Sequence, residues 1–275
     1  MKALTLGYSP CPNDTFIFYA MVHNKLESEL RFSERLEDVE TLNRLALKTE
    51  LDITKVSFHA LGHLRENYCL LRSGSALGRG CGPLIVSKKP MRPSELARKK
   101  IAIPGKLTTA YLLLRLFAPD ATDVVEMPFD RIMNAVALGT VDAGLIIHEG
   151  RFTYPKYNLV EIIDLGEWWE KETGYPIPLG GILAKRELGA DVILETERLL
   201  RESVEYALRS PGNTWDYVKK NAQELEDDVI RQHIELYVND YTLDIGDGAD
   251  AVGKLFKTAE ELHIIPESSN PVFID

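Results

Sequence analysis

"KALTLGYSPCPNDTFIFYAMVHNKL", residues 2–26, changes its periodicity midway, and that change decides the fold. Leu4, Leu6 and Tyr8 recur at a spacing of two, the pattern of a half-buried strand. From Asp14 an apolar run of helical length follows, with Asp14 and Thr15 placed as its capping and first-turn residues. The connector between them holds two prolines, Cys11 and the pair Asn13-Asp14. A plain turn needs only Gly or Asn. So much polar chemistry after a first strand reads as a binding loop.

The same alternation continues outward. "LRFSERL" (30–36) and "LDITKVS" (51–57) have strand spacing, while "VETLNRLALKTE" (39–50), capped by Asp38, and "FHALGHLREN" (58–67) have helical spacing. Strands separated by helices of this length predict parallel pairing through right-handed crossovers, hence an α/β fold. After the Gly-rich "SGSALGRGCG" (73–82) and the strand-like "PLIVSKK" (83–89), a second set runs from "KKIAIPG" (99–105) to "DAGLIIHEG" (142–150). "IPLGGILAKR" (177–186) then repeats the character of "GPLIVSKK". Two similar strands bracketing one segment predict a two-strand hinge. Residues 1–88 with 177–275 are expected to form the larger lobe, and 89–176 the smaller, with a ligand cleft between them. The last third, including "DVILETERLLRESVEYALRS" (191–210) and "ADAVGKLFKTAEEL" (249–262), is amphipathic helix.

Composition narrows the function. With 275 residues the chain sits where a second lobe is expected. A net charge of −10 and the lack of a basic stripe argue against a nucleic-acid partner. No apolar run reaches the roughly 20 residues that span a bilayer. The N-terminus does not read as a secretory signal, so a cytoplasmic location is expected. Cys11, Cys69 and Cys81 are odd in number and widely spaced, as free thiols are.

In parallel sheets, ligands bind beyond the carboxyl ends of strands. That rule selects "SPCPND", "EDVET", "KVSFHA", "IPGKLTTA" and "LIIHEG". In "IPGKLTTA", Thr108 and Thr109 add hydroxyls to the amides of a helix start, which suits a carboxylate; a plain Thr cap is the alternative. His148 ends an apolar strand and enters a loop, the station of a catalytic base, although a single His can be structural. Arg79 can clamp a carboxylate or form an ordinary surface pair. His59 and His63 share a helical spacing but lack a third ligand, so no metal is expected. Cys11 reads as a packed or cleft-lining thiol.

"SPCPNDTFIFYA", "LEDVETLNRLAL", "LRSGSALGRGCGPLIV", "IPGKLTTAYLLL" and "AGLIIHEGRFTYP" together resemble the 1,4-dihydroxy-6-naphthoate synthases of the futalosine route to menaquinone. The resemblance covers nearly the whole chain. It implies a two-lobed fold like the type II periplasmic binding proteins, turned to catalysis. It also implies cleavage of cyclic dehypoxanthine futalosine, an aromatic carboxylate substrate, without cofactor or metal. His148 would be the general base, and Thr108 and Thr109 would hold the carboxylate. Asp14, Asp38, Asn43, Ser57, Arg79 and Tyr154 would line the remainder of the cleft. A homo-oligomer is compatible with the sequence. The rival readings are a cytoplasmic solute-binding protein for a small carboxylate and the chorismate dehydratase of the same pathway.

Overall fold

The computed structural model describes residues 3–223 and 226–274. Its contacts divide the chain into two units, Met1–Leu77 with Pro178–Asp275, and Gly78–Ile177.

The first unit opens with β1 (Leu4–Tyr8), α1 (Pro12–Val22), β2 (Phe32–Leu36), α2 (Val39–Leu47), β3 (Ile53–Ser57), the short α3 (Phe58–Gly62), β4 (Tyr68–Leu70) and β5 (Ala76–Gly78). Helix α1 starts at Pro12, whose fixed φ and missing N–H suit a first helical position. Cys11 therefore occupies the cap position, and Asp14 lies in the first turn instead of capping the helix. Nearly every side chain of α1 is buried, as its continuous apolar run demands. α2 starts as its sequence predicts, with Asp38 accepting from Glu40 N at 3.0 Å and Thr41 N at 3.1 Å.

Gly78–Ile177 holds β6 (Leu84–Ser87), β7 (Ile101–Ile103), α4 (Thr109–Phe117), β8 (Val124–Glu126), α5 (Phe129–Leu138), β9 (Ala143–Ile146), α6 (Gly150–Thr153), β10 (Val160–Asp164) and α7 (Leu165–Thr173). Strand β6 pairs antiparallel with β9 and β10. Residues 78–88, expected with the larger lobe, thus fall in this unit, because their hydrogen-bond partners lie here. α5 stops at Gly139, whose left-handed φ of 75° ends the helix without a Cβ penalty.

Returning to the first unit, the chain forms β11 (Ile177–Lys185), α8 (Ala190–Arg209), α9 (Trp215–Asn221), α10 (Asp227–Tyr237), α11 (Asp240–Leu243) and α12 (Gly248–Glu261). α8 packs along α1, where the Ser203 hydroxyl donates to Ile17 O at 2.6 Å and accepts from Met21 N at 3.3 Å.

The first sheet runs β2-β1-β3-β11-β4, with β5 also paired to β11. β1, β2 and β3 are parallel, and β11 is antiparallel to its neighbours. The second sheet runs β8-β7-β9-β6-β10, with β7, β8 and β9 parallel. Each sheet has its own core. Leu6, Phe18, Ile53, Ile182, Leu200 and Val204 belong to one, and Leu84, Val86, Ile132, Val136 and Ile146 to the other. Each such side chain contributes about 1.5–3 kcal/mol by leaving water. Among the described residues, no helix is long and apolar enough to cross a membrane.

Candidate functional site

Because β1, β2 and β3 are parallel, the loops after them leave the same edge of the first sheet. After β1, the Asp14 carboxylate is 1% exposed and almost fully coordinated. It accepts from Ser9 N at 3.2 Å, the Ser9 hydroxyl at 2.7 Å and the Asn13 amide at 2.9 Å, and it pairs with the Lys55 ammonium. Asn13 Oδ1 lies 2.9 Å from His233 Nε2 on α10. Asn43, buried on α2, meets the end of β3: it donates to the Ser57 hydroxyl at 3.2 Å and accepts from Ser57 N at 2.9 Å. Asn43 thereby fixes the point where β3 becomes α3. Asp38 caps α2 and also bonds the Thr41 hydroxyl.

Lys55 opens the selected stretch "KVSFHA" but is not among the residues singled out within it. Its signal is a lone cation in "ITKVS", a strand buried along its whole length. A charge enters such a place only with a partner. That partner stands 41 residues away.

In the second unit, β7 leads to "PGKLTT". The Thr108 hydroxyl donates to Gly105 O at 2.7 Å and accepts from Tyr111 N at 3.2 Å, the geometry of a helix cap. Thr109 is buried at the first helical position. An α-helix start presents amide N–H groups and the positive end of the dipole, so a carboxylate placed there gains about 0.3–1 kcal/mol. Arg79 is exposed, 3.5 Å from Glu170, and donates to Gly174 O at 2.8 Å, the partners of an ordinary surface pair.

His148 lies two residues past the end of β9. Its φ is +55°, in the left-handed region that costs a side-chain-bearing residue about 1–2 kcal/mol. Such strain concentrates at functional positions, where the surroundings hold it. The ring lies 5.1 Å from that of Phe129, tilted by 58°. Tyr154, half-buried at the end of α6, packs against the core of this unit. Arg151, three residues beyond His148, is bound to Asp164 at 2.6 Å and donates to Gly82 O at 2.7 Å. Burial pushes the Cys81 thiol up to about 12 although Arg151 works against it, and burial also raises Cys69. Both stay protonated near neutrality, so neither can serve there as a nucleophile.

Two α/β units of matching strand order, with polar side chains at the carboxyl ends of their parallel strands, define a periplasmic-binding-protein-like fold. The structure superposes on the periplasmic aliphatic sulphonate binding protein of Escherichia coli with a TM-score of 0.64, at 13% identity over 100% of this chain and 94% of that one. That likeness concerns the fold alone.

The chain belongs to the family described as Menaquinone biosynthesis, whose profile matches residues 4–261. It is 52% identical to a 1,4-dihydroxy-6-naphthoate synthase of Thermus thermophilus over the full length of both chains. It is 43% identical to a synthase of the same name from Streptomyces coelicolor, over 96% of this chain and 95% of that one. The crystal structure of AF1704 from Archaeoglobus fulgidus matches with a TM-score of 0.90 and 39% identity, over 96% of this chain and 98% of that one.

Proposed function

We propose that the protein is a carbon–carbon lyase that converts cyclic dehypoxanthine futalosine to 1,4-dihydroxy-6-naphthoate, with His148 as general base. The observation that carries this reading is His148 itself, held in a left-handed backbone just after β9 in a chain that aligns with two such synthases over at least 95% of each chain. His titrates near neutral pH and suits removal of a hydroxyl proton. As the O–H bond breaks, its electron pair forms a carbonyl and the adjacent carbon–carbon bond cleaves. The electrons released enter the ring system, and the gain of aromaticity drives the step. Thr109 and the amide groups at the start of α4, which Thr108 caps, hold the carboxylate. Asn43 and Asp38 act by fixing the loops after β3 and β2.

The test is turnover by the purified protein. With cyclic dehypoxanthine futalosine, the naphthoate should appear by chromatography and mass spectrometry, and chorismate in parallel should remain unchanged. Folded protein that leaves the futalosine derivative intact, or consumes only chorismate, would overturn the reading.

A further inference from the structure

A strained backbone persists only where something holds it. Around His148 the chain makes one tight turn, in which Phe152 N donates to Glu149 O at 2.9 Å. Gly150 N donates to Ile147 O at 3.2 Å and Arg151 N to His148 O at 3.3 Å. α6 is a single turn of four residues, too short to be rigid by itself.

The Arg151 side chain ties this turn to the rest of the unit. One guanidinium nitrogen donates to Gly82 O at 2.7 Å, and another meets Asp164 Oδ2 at 2.6 Å. Asp164 Oδ1 accepts from Gly166 N at 2.8 Å and Glu167 N at 3.0 Å, capping α7. Behind this lies a backbone-to-backbone contact: a Cβ at Gly82 would stand 2.3 Å from Gly166 Cα. Leu165 N also donates to Pro83 O at 3.0 Å, so the anchor itself cannot shift easily. Arg151 and Asp164 are largely buried, which limits screening of the pair.

We propose that Arg151 is a positioning residue: by clamping α6 to the junction of Gly82 and Asp164, it holds His148 in the backbone conformation from which it removes the proton. This rests on the assignment of His148 as base.

The experiment compares Arg151→Met, Arg151→Ala, Arg151→Lys and Asp164→Asn in the full chain, with His148→Asn alongside. kcat and KM are measured separately, and labelled-histidine NMR follows the ring of His148, assigned by its loss in His148→Asn. Arg151→Met should lower kcat by about 10–100-fold, as a misplaced catalytic group does, with KM within about threefold. The His148 resonance should shift or broaden. Guanidinium ion should restore part of the kcat of Arg151→Ala. Asp164→Asn, which keeps an oxygen to cap α7, should show a smaller loss of the same kind. Should Arg151→Met fail to fold, Arg151→Lys and Asp164→Asn give the same readouts. A folded variant with kcat within twofold of wild type and an unmoved His148 resonance would overturn the proposal. The base assignment fails differently: His148→Asn keeps its turnover while Arg151→Met still moves the His148 resonance, leaving the clamp standing without it.

Discussion

The two units carry the same strand order yet use the carboxyl edges of their parallel strands in opposite ways. In the first, polar side chains are satisfied by one another: Asp14 by Ser9, Asn13 and Lys55, and Asn43 by Ser57. In the second, the edge holds a residue under backbone strain, His148, in a turn whose Arg151 is bound to Asp164. A saturated network resists change, whereas a strained residue is held ready for a task. Substitutions in the first unit should therefore register mainly as stability, and those in the second mainly as turnover.

His148→Asn gives the largest effect expected on that division. Asn resembles one edge of the imidazole and tolerates a left-handed φ, so the fold should be retained. It cannot accept a proton near neutral pH. Turnover should fall by roughly 10²–10⁴-fold, the usual contribution of a positioned acid–base group. Product affinity, measured by calorimetry on the same variant, should change little. Near-normal turnover would place His148 among structural residues.

The counterpart in the first unit is Asp14→Ala, which leaves the Lys55 ammonium buried without its carboxylate. Breaking one side of a buried pair costs about 3–5 kcal/mol. Denaturant melts should show it. Replacing both members, as Asp14→Leu with Lys55→Met, removes the stranded charge and should recover much of the loss. If the double variant is as unstable as the single one, the loss comes from Ser9 and Asn13, left without their acceptor, and not from the stranded charge.

These residues also show how far the sequence could be read. The alternation that opens the chain predicts β1 and α1, and Asp38 is recognisable as a cap because its partners lie two and three residues ahead. His148 is recognisable as a loop residue after a strand. Its left-handed φ is not, because tertiary contacts set it. The pairing of Asp14 with Lys55 is hidden for the same reason, and so is the membership of β6, decided by β9 and β10. β4 and β5 span three residues each, too few to show a period. At "SPCPND" local signals compete: Pro12 claims the first helical position and turns Asp14 inward to Lys55.

Thr108 and Thr109 sharpen the comparison at smaller cost. Thr108→Val removes both the cap to Tyr111 N and the bond to Gly105 O, and should destabilise by about 1 kcal/mol, as lost caps do. Thr109→Val, which keeps the shape of the side chain, should weaken product binding more than it lowers melting. Equal effects on melting would mean that Thr109 is structural too.

The smallest effect at neutral pH belongs to Tyr8, the buried last residue of β1. Its hydroxyl lies 2.6 Å from Glu34 Oε2 and 2.5 Å from the Tyr217 hydroxyl. Tyr217 and Glu34 are themselves bonded at 2.6 Å, so Tyr8→Phe leaves that bond standing and should cost no more than about 1 kcal/mol at pH 7. At high pH the difference changes sign. Burial, then Tyr217 and Glu34, push the Tyr8 hydroxyl far above the ordinary tyrosine value. A group whose folded pKa is raised gives stability that is complete below its unfolded value, about 10, and is lost as pH climbs past it. Over that range the unfolded chain releases a proton that folded Tyr8 keeps, which removes about 1.4 kcal/mol per pH unit. Tyr217 and Tyr68 are raised by burial as well and add slopes of their own. Melts of wild type and Tyr8→Phe between pH 8 and about 11.5 should therefore cross, the variant losing stability less steeply by one proton. Parallel curves would show that Tyr8 ionises in the folded chain as readily as in the unfolded one, and that the polar network of the first unit is open to solvent at this end.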